Sequence, residues 1–231
     1  MWYKLNRIMM WVNGVEKQVR PSGWQPWANT LLYLPLENDT LDHSWGTAYN
    51  PTWSITFTTL SSWKKVGYIN WNNFLLNSDF PSLKMDMTVS FWINPTSQKW
   101  EYQPAFWQYK AFSNYNIWAF CRAGESSWTN FYFWTFSADT WNINLSWWNL
   151  ITITYTSSWT VIVYKNWTQV ATRNSPYNWW NWYQIWGRYD TGSSRTQLTA
   201  YMSEIFVENR VRTAQEVADY YNQTKANYWI S

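Results

Sequence analysis

The chain has 231 residues, a length that suits one large domain or a domain with an N-terminal extension. Its 17 basic and 14 acidic residues give a formal net charge of +3 without a block of like charge, which argues against the clustered basic face of a nucleic-acid-binding protein. One cysteine and one histidine exclude an internal disulfide and a closed zinc site. No apolar run reaches the ~18 residues of a membrane-spanning helix, and the N-terminus has no visible secretory signal peptide.

Residues 1–30 are predicted to be an attachment or linker segment, because they end in turn-forming residues and a polar stretch. From Leu31 onward, short runs rich in β-branched and aromatic residues recur about every ten residues, which is the spacing of a β-sandwich. The predicted strands are 31–36, 54–58, 65–70, 87–94, 105–109, 116–121, 130–136, 148–155, 160–164, 169–172, 183–186 and 198–208. The alternation in 150–155 predicts one buried and one solvated face.

One helix is predicted near the C-terminus. Thr213 and Glu216 have the spacing of a capping box, in which each side chain satisfies a backbone N–H of the other residue. The helix then runs to about Thr224. Twelve strands and one late helix predict an all-β domain over residues 31–225, followed by a short C-terminal tail, 226–231.

Tryptophan and glycine have exchanged their usual frequencies, with 24 Trp against 7 Gly. Asn166 and Trp167 join two apolar runs at the place of an Asn-Gly hairpin turn, whose type I′ form needs φ > 0 at both residues. Similar contexts surround Trp71, Trp159 and the segment 178–182. A bulky residue in the left-handed region costs roughly 1–2 kcal/mol. We therefore interpret most of these tryptophans as glycines encoded by UGA and displayed under another genetic code.

Trp92 and Trp148 lie in strand-like runs where an indole can pack, so we interpret these two residues as authentic tryptophans. The alternative is a genuinely Trp-rich chain.

Five segments, in order, carry a resemblance to a known family: 34–44, 89–93, 148–155, 163–167 and 203–217. Together they resemble the LamG-like jelly roll of the concanavalin A-like lectin/glucanase superfamily, over about residues 31–225. The segment 163–167 is similar to the hairpin of that family once Trp167 is read as Gly. The resemblance implies a concanavalin A-like jelly-roll sandwich of two antiparallel sheets with one short C-terminal helix. Residues 1–30 resemble the N-terminal portion of virion or tail-associated proteins that end in such a domain.

Catalysis is not expected. Glucan hydrolases of the superfamily carry a Glu-x-Asp-x-x-Glu strand, which places two carboxylates on one face. The nearest approach here is Glu204 and Glu208, with Phe206 between them, and we interpret the two glutamates as a solvent-facing strand surface. His43, beside Asp42, has no nucleophile motif around it.

Calcium is the one cofactor that the resemblance suggests, because LamG-like domains often hold one Ca²⁺ through loop oxygens. Asp39 and Asp42 supply hard oxygen donors and are the candidate ligands. Turn formation is the alternative role for both aspartates.

Sugar binding needs aromatic faces that stack on pyranose rings and planar polar groups that meet hydroxyls, and sandwich proteins carry recognition on loops at strand ends. The candidate ligand-binding residues are Tyr115, Tyr177 and Tyr189 for stacking, and Arg188, Asp190 and Arg195 for polar contacts. Covering the rim of the sandwich is the alternative role of the tyrosines.

The sequence therefore predicts a non-catalytic module that binds a carbohydrate or another cell-surface polymer, displayed on a phage virion or a bacterial surface. Virion or surface assembly proteins are the expected second partners, and neither nucleic acid nor membrane insertion is expected. The first alternative is a structural component that makes protein–protein contacts. A glycoside hydrolase with an unusual site is a third hypothesis.

Overall fold

The computed structural model describes residues 8–12, 15–19, 29–38, 55–69, 75–77, 86–96, 103–108, 117–123, 129–134, 143–145, 147–158, 160–174, 183–185 and 199–228. The first eight strands are β1 (Ile8–Val12), β2 (Val15–Val19), β3 (Thr30–Leu34), β4 (Thr56–Thr59), β5 (Lys65–Ile69), β6 (Leu75–Asn77), β7 (Met87–Pro95) and β8 (Gln103–Gln108). The other eight are β9 (Ile117–Ala123), β10 (Thr129–Trp134), β11 (Ile143–Asn144), β12 (Asn149–Tyr155), β13 (Thr160–Lys165), β14 (Thr168–Asn174), β15 (Tyr183–Ile185) and β16 (Ala200–Glu208). The helix α1 (Ala214–Thr224) continues into a 3₁₀ turn, Lys225–Tyr228.

Two large antiparallel sheets build the fold, which confirms the predicted all-β jelly-roll sandwich. One sheet has the order β11-β10-β9-β8-β15-β6, and the other has the order β14-β13-β12-β7-β16-β5-β4, with β3 also paired to β16. The long central strands β7 and β16 are far apart in the chain but lie side by side, because Ala200–Glu208 pairs with Thr88–Pro95. β1 and β2 form a separate hairpin in the N-terminal segment.

One face of the eight-stranded sheet, the inner face, carries a large apolar cluster. Alternate residues of the central strands supply its members, among them Val89, Phe91, Ile151 and Val207. Leu145, which follows β11 of the six-stranded sheet, belongs to the same cluster. The described core therefore includes a residue that adjoins the six-stranded sheet, as expected where two sheets pack face to face.

The opposite face, which we call the outer face, is partly covered by α1. The predicted capping box is confirmed: the Thr213 hydroxyl accepts from the Glu216 backbone N–H at 3.2 Å, and the Glu216 carboxylate accepts from the Thr213 N–H at 2.8 Å. Val217, Tyr220 and Tyr221 are the buried residues of the helix. The 3₁₀ turn places Tyr228 on Trp92, with ring centroids 4.2 Å apart. The chain thus packs on the outer face as far as Tyr228.

Each of the twelve predicted strands overlaps an observed one, whereas β1, β2, β6 and β11 were not predicted. β6 and β11 have only three and two residues, too few to show a period of two. β1 and β2 lie in the segment that was expected to be a linker. The domain boundaries 1–30, 31–225 and 226–231 stay predictions. Among the described residues, no helix is long and apolar enough to cross a membrane.

The tryptophans whose side chains are described fall into two groups. Trp92 and Trp148, the two interpreted as authentic, are 0% and 4% exposed. Trp63, Trp147 and Trp167 are 85%, 55% and 52% exposed. Trp63 occupies the turn between β4 and β5 with a φ of 67°, in the left-handed region that favours glycine.

The hairpin of β13 and β14 has the predicted two-residue turn at Asn166 and Trp167, because Lys165 pairs with Thr168. Its geometry differs from the predicted type I′ form. Asn166 has a φ of 61°, but the φ of Trp167 lies outside the left-handed region. A side chain with a Cβ disfavours that region, and Asn tolerates it better than other residues do.

Candidate functional site

The residues predicted to bind a ligand or a metal lie outside the described residues. They are Asp39, Asp42, Tyr115, Tyr177, Arg188, Tyr189, Asp190 and Arg195, and His43 lies outside as well. Among the described residues, no group of three or more His, Cys, Asp or Glu side chains could hold a metal ion.

Glu204 and Glu208 of β16 are buried, with exposures of 6% and 0%, so the prediction of a solvent-facing strand surface was wrong. Two features explain the difference. Helix α1 covers this part of the sheet, and its Tyr220 contacts Glu204 directly. β16 is also irregular here, since Glu204 has a φ of 49° and the pairing register with β7 shifts between Ser203 and Phe206. The sequence shows neither the cover nor the bulge.

Glu204 lies at the centre of the first buried ionic group. One of its carboxylate oxygens accepts from Lys64 Nζ at 2.5 Å, and the other accepts from the Tyr220 hydroxyl at 2.6 Å. Lys64 Nζ also donates to Glu37 at 3.0 Å. Burial alone would lower the pKa of Lys64, but the carboxylates of Glu204 and Glu37 outweigh burial and raise this pKa above its ordinary value. Burial, assisted by Glu204, raises the pKa of Tyr220 and Tyr228.

Glu208 forms the second buried ionic group with two arginines. Arg212 Nε donates to one oxygen of Glu208 at 2.5 Å, and Arg210 Nε lies 3.6 Å from the other oxygen. The Arg212 guanidinium also lies over the ring of Tyr220, 4.9 Å from its centroid. Each glutamate thus has a cation partner and is enclosed beneath α1. These contacts fasten the helix to the sheet and leave neither carboxylate placed to reach a substrate as a general acid or base.

A row of polar and aromatic residues crosses the same outer face where β5 and β7 end and β16 begins. It contains Thr56, Tyr68, Tyr201, Asn94 and Trp148, which lie on β4, β5, β16, β7 and immediately before β12, and we call it the tyrosine row. The strand register places Tyr201 directly opposite both Tyr68 and Asn94, and places Thr56 opposite Tyr68. The row therefore follows the hydrogen-bonding direction of the sheet.

The side chains of the tyrosine row are, except for Trp148, more exposed than those of Glu204 and Glu208 in the two buried ionic groups. Thr56 is exposed, Tyr68, Tyr201 and Asn94 are partly exposed, and Trp148 is buried. The rings of Tyr68 and Tyr201 lie 4.9 Å apart at 44°, and those of Tyr201 and Trp148 lie 6.4 Å apart at 39°. Two accessible rings flanked by a hydroxyl and an amide can offer a flat apolar surface and hydrogen-bonding groups together.

The tyrosine row was not predicted from the sequence, because ligand contacts were expected on loops at strand ends. The sequence does contain a signal for the face on which these tyrosines lie. Neighbouring residues of a strand point to opposite faces, and Tyr201 is next to Met202 of the inner core. Tyr68 alternates in the same way with its neighbours in the run 65–69. That Tyr68 and Tyr201 are neighbours depends on the pairing of β5 with β16, two strands far apart in the chain.

Several solved structures have a similar fold. Domain 4 of AbnA, a GH43 extracellular arabinanase from Geobacillus stearothermophilus solved in complex with arabinotriose, is 14% identical with a TM-score of 0.62, over 83% of this chain and 97% of that one. The binding domain of Paraclostridial Mosquitocidal Protein 1 is 15% identical with a TM-score of 0.59, over 84% and 52%. A structure of botulinum neurotoxin type C, whose cell entry depends on interaction with two ganglioside molecules, is 12% identical with a TM-score of 0.59, over 84% and 51%.

The chain spans about half the length of the two toxin chains and nearly all of the arabinanase domain. At these identities the likeness shows the fold. No protein-family model matches the sequence, and no curated protein matches it.

Proposed function

We propose that this chain is a non-catalytic module that binds a glycan on a cell surface. The observation that carries the proposal is the tyrosine row, in which two partly exposed rings lie between a hydroxyl and an amide on one face of the sheet. The fold supports it, because similar folds occur in an arabinanase domain solved with arabinotriose and in a neurotoxin that interacts with gangliosides. A fold alone does not give a function, so the residues of the row carry the argument.

The first test is a glycan array probed with the purified chain, with calcium and with a chelator. Saturable binding to a defined group of glycans is the expected result. The second candidate function, a structural component, predicts no glycan binding together with assembly into an oligomer. Size-exclusion chromatography with light scattering on the same sample separates the two.

The burial of Glu204 and Glu208 favours a binding module over a glycosidase. A glycosidase would release reducing sugars from a glucan panel, and Glu204→Gln would abolish the release. The expected result for the unaltered chain is no release.

We also propose that the domain is LamG-like and that it is displayed on a virion or a bacterial surface, with residues 1–30 as its attachment. The ordered resemblance of five sequence segments supports this assignment. Immunogold labelling of particles and cells from the source tests the display. Asp39 and Asp42 are the proposed calcium ligands, and the six loop residues from Tyr115 to Arg195 named above remain proposed ligand-binding residues. A rise in melting temperature with Ca²⁺, lost in Asp39→Ala, tests the metal site.

The exposed tryptophans are proposed to be glycines in the organism of origin, through reading of UGA as Gly. The exposure of Trp63, Trp147 and Trp167, against the burial of Trp92 and Trp148, supports the proposal, as does the left-handed backbone of Trp63. Peptide sequencing by mass spectrometry of the protein from its native source is the test. Glycine at 63 and 167 with tryptophan at 92 is the expected result, and tryptophan at all three would overturn the proposal.

A further inference from the structure

The direction and the length of the tyrosine row restrict which ligands could contact all of its residues. It runs across four neighbouring strands, β4, β5, β16 and β7, in the order of the sheet. Adjacent strands lie about 4.8 Å apart, and the Tyr68 and Tyr201 centroids are separated by a similar 4.9 Å. This spacing is comparable with the length of one sugar residue, so successive positions of the row can meet successive residues of one chain.

The chemistry of the row restricts the ligand further. Thr56, Tyr68, Tyr201 and Asn94 carry hydroxyls, an amide and two rings, and none of these side chains is charged at neutral pH. Lys64, which precedes β5, is already paired with Glu204 and Glu37. A sialylated or sulfated glycan would find no cation in the row itself. A neutral sugar would find rings for its C–H faces and polar groups for its hydroxyls.

The tilt of the rings indicates the shape of the ligand. Tyr68 and Tyr201 are inclined at 44° to each other, so they cannot lie against one flat crystalline surface. A sheet twists from strand to strand, and a soluble saccharide chain that turns along its length can follow such a surface.

We propose that the tyrosine row binds a single neutral oligosaccharide of at least three sugar residues, laid across the strands from Thr56 to Asn94. The inference rests on the proposed glycan-binding function and specifies its site and ligand class. Tyr68 and Tyr201 each stack on one sugar residue. Thr56 and Asn94 hydrogen-bond to the hydroxyls of the residues on either side.

The test uses isothermal titration calorimetry of the full chain with arabinotriose, xylotetraose and laminaritetraose as neutral probes and with 3′-sialyllactose and a heparin tetrasaccharide as anionic probes. The expected result is binding of at least one neutral probe, more weakly for its mono- and disaccharide, and no binding of the anionic probes. Tyr201→Ala and Tyr68→Ala are each expected to weaken binding about tenfold, the loss expected of one stacking ring. Tyr201→Phe retains the ring and should bind within about threefold of the parent.

Val170→Ala is the matched control, because Val170 is exposed on the same sheet at its opposite edge, in β14. Melting curves by circular dichroism show which variants are folded. If Tyr201→Ala does not fold, chemical-shift mapping of the parent with the bound probe replaces it, and shifts centred on β5 and β16 support the site.

The outcomes separate the inference from the proposed function. Glycan binding that is unchanged in both alanine variants, or binding of anionic probes alone, overturns this inference and leaves a glycan-binding module with another site. No binding to any glycan on the array overturns the proposed function and the inference with it.

Discussion

The outer face of the eight-stranded sheet has two halves that differ in exposure: a covered half, which contains the two buried ionic groups, and the tyrosine row. Beneath α1, Glu204 and Glu208 are fully enclosed and each is matched by a cation. At the other end of the same face, Tyr68 and Tyr201 remain partly exposed, their rings contact each other, and Tyr201 also contacts Trp148. The two halves share the strands β5 and β16, so strand geometry alone does not account for the difference.

The difference in exposure between the two halves follows from cover by α1, since both halves lie on the same face of the same sheet. Charged groups withstand burial only when they are paired and hydrogen-bonded, and removing one partner leaves a costly unpaired charge. Uncharged tyrosine and asparagine side chains can remain at a surface without such pairing. The covered half is therefore expected to respond strongly to single substitutions in stability, and the tyrosine row is expected to respond in ligand affinity.

The largest effect is expected from Glu208→Gln, which leaves the buried Arg212 charge without its partner. Breaking a buried ion pair typically costs about 3–5 kcal/mol of the free energy of unfolding. Urea denaturation measures the loss. Glu216→Gln is the matched control, because Glu216 pairs with Arg210 at a more exposed position and should change stability by only about 0–1 kcal/mol. Equal effects of the two substitutions would contradict the claim that burial of the ion pair determines its contribution to stability.

The covered half also predicts a loss of stability at alkaline pH. The pKa values of Lys64, Tyr220 and Tyr228 are all raised by folding. Groups of this kind hold protons more tightly when folded, so their contribution is complete below their unfolded pKa of about 10 and is lost as the pH rises above it. Melting temperatures from pH 7 to 11 are expected to stay level to about pH 9.5 and then to fall.

Tyr220→Phe removes one of the three titrating groups and should make the alkaline fall less steep. A melting temperature that does not change up to pH 11 would show that these three groups do not control stability there.

A smaller change in the free energy of unfolding, and in the stabilising direction, is expected from a substitution in the turn between β4 and β5. Trp63 precedes Lys64 in the turn between β4 and β5 and holds a φ of 67° while 85% exposed. Trp63→Gly should raise the free energy of unfolding by about 1 kcal/mol, because glycine enters the left-handed region without steric strain. Trp167→Gly gives the contrast: Trp167 lies outside that region and packs on Tyr221 at 4.8 Å, so its removal should not stabilise the fold.

The sequence contained the information for the strands and for the helix start, but not for the two halves of the outer face. Local patterns predicted the strand at 150–155 and the capping box of Thr213 and Glu216, and both are present. The solvated face expected from the alternation in 150–155 was wrong, because both faces of this central strand are covered and every residue of Asn149–Tyr155 is buried. The burial of Glu204 depends on a bulge and on the docking of Tyr220, which are tertiary effects. The predicted loop site lies outside the described residues, so it stays a prediction.

The smallest expected effect tests the tyrosine row itself. A directly opposed aromatic pair on neighbouring strands contributes about 0.2–1 kcal/mol, so a double-mutant cycle of Tyr68→Ala and Tyr201→Ala should give a coupling energy in that range by urea denaturation. A coupling energy several times larger would mean that the pair supports the fold in the way that Glu208 and Arg212 do. A small coupling energy leaves the two rings free to be replaced with little structural loss. Any large decrease in glycan affinity in the same variants would then come from lost ligand contacts, because the sheet that presents them would be intact.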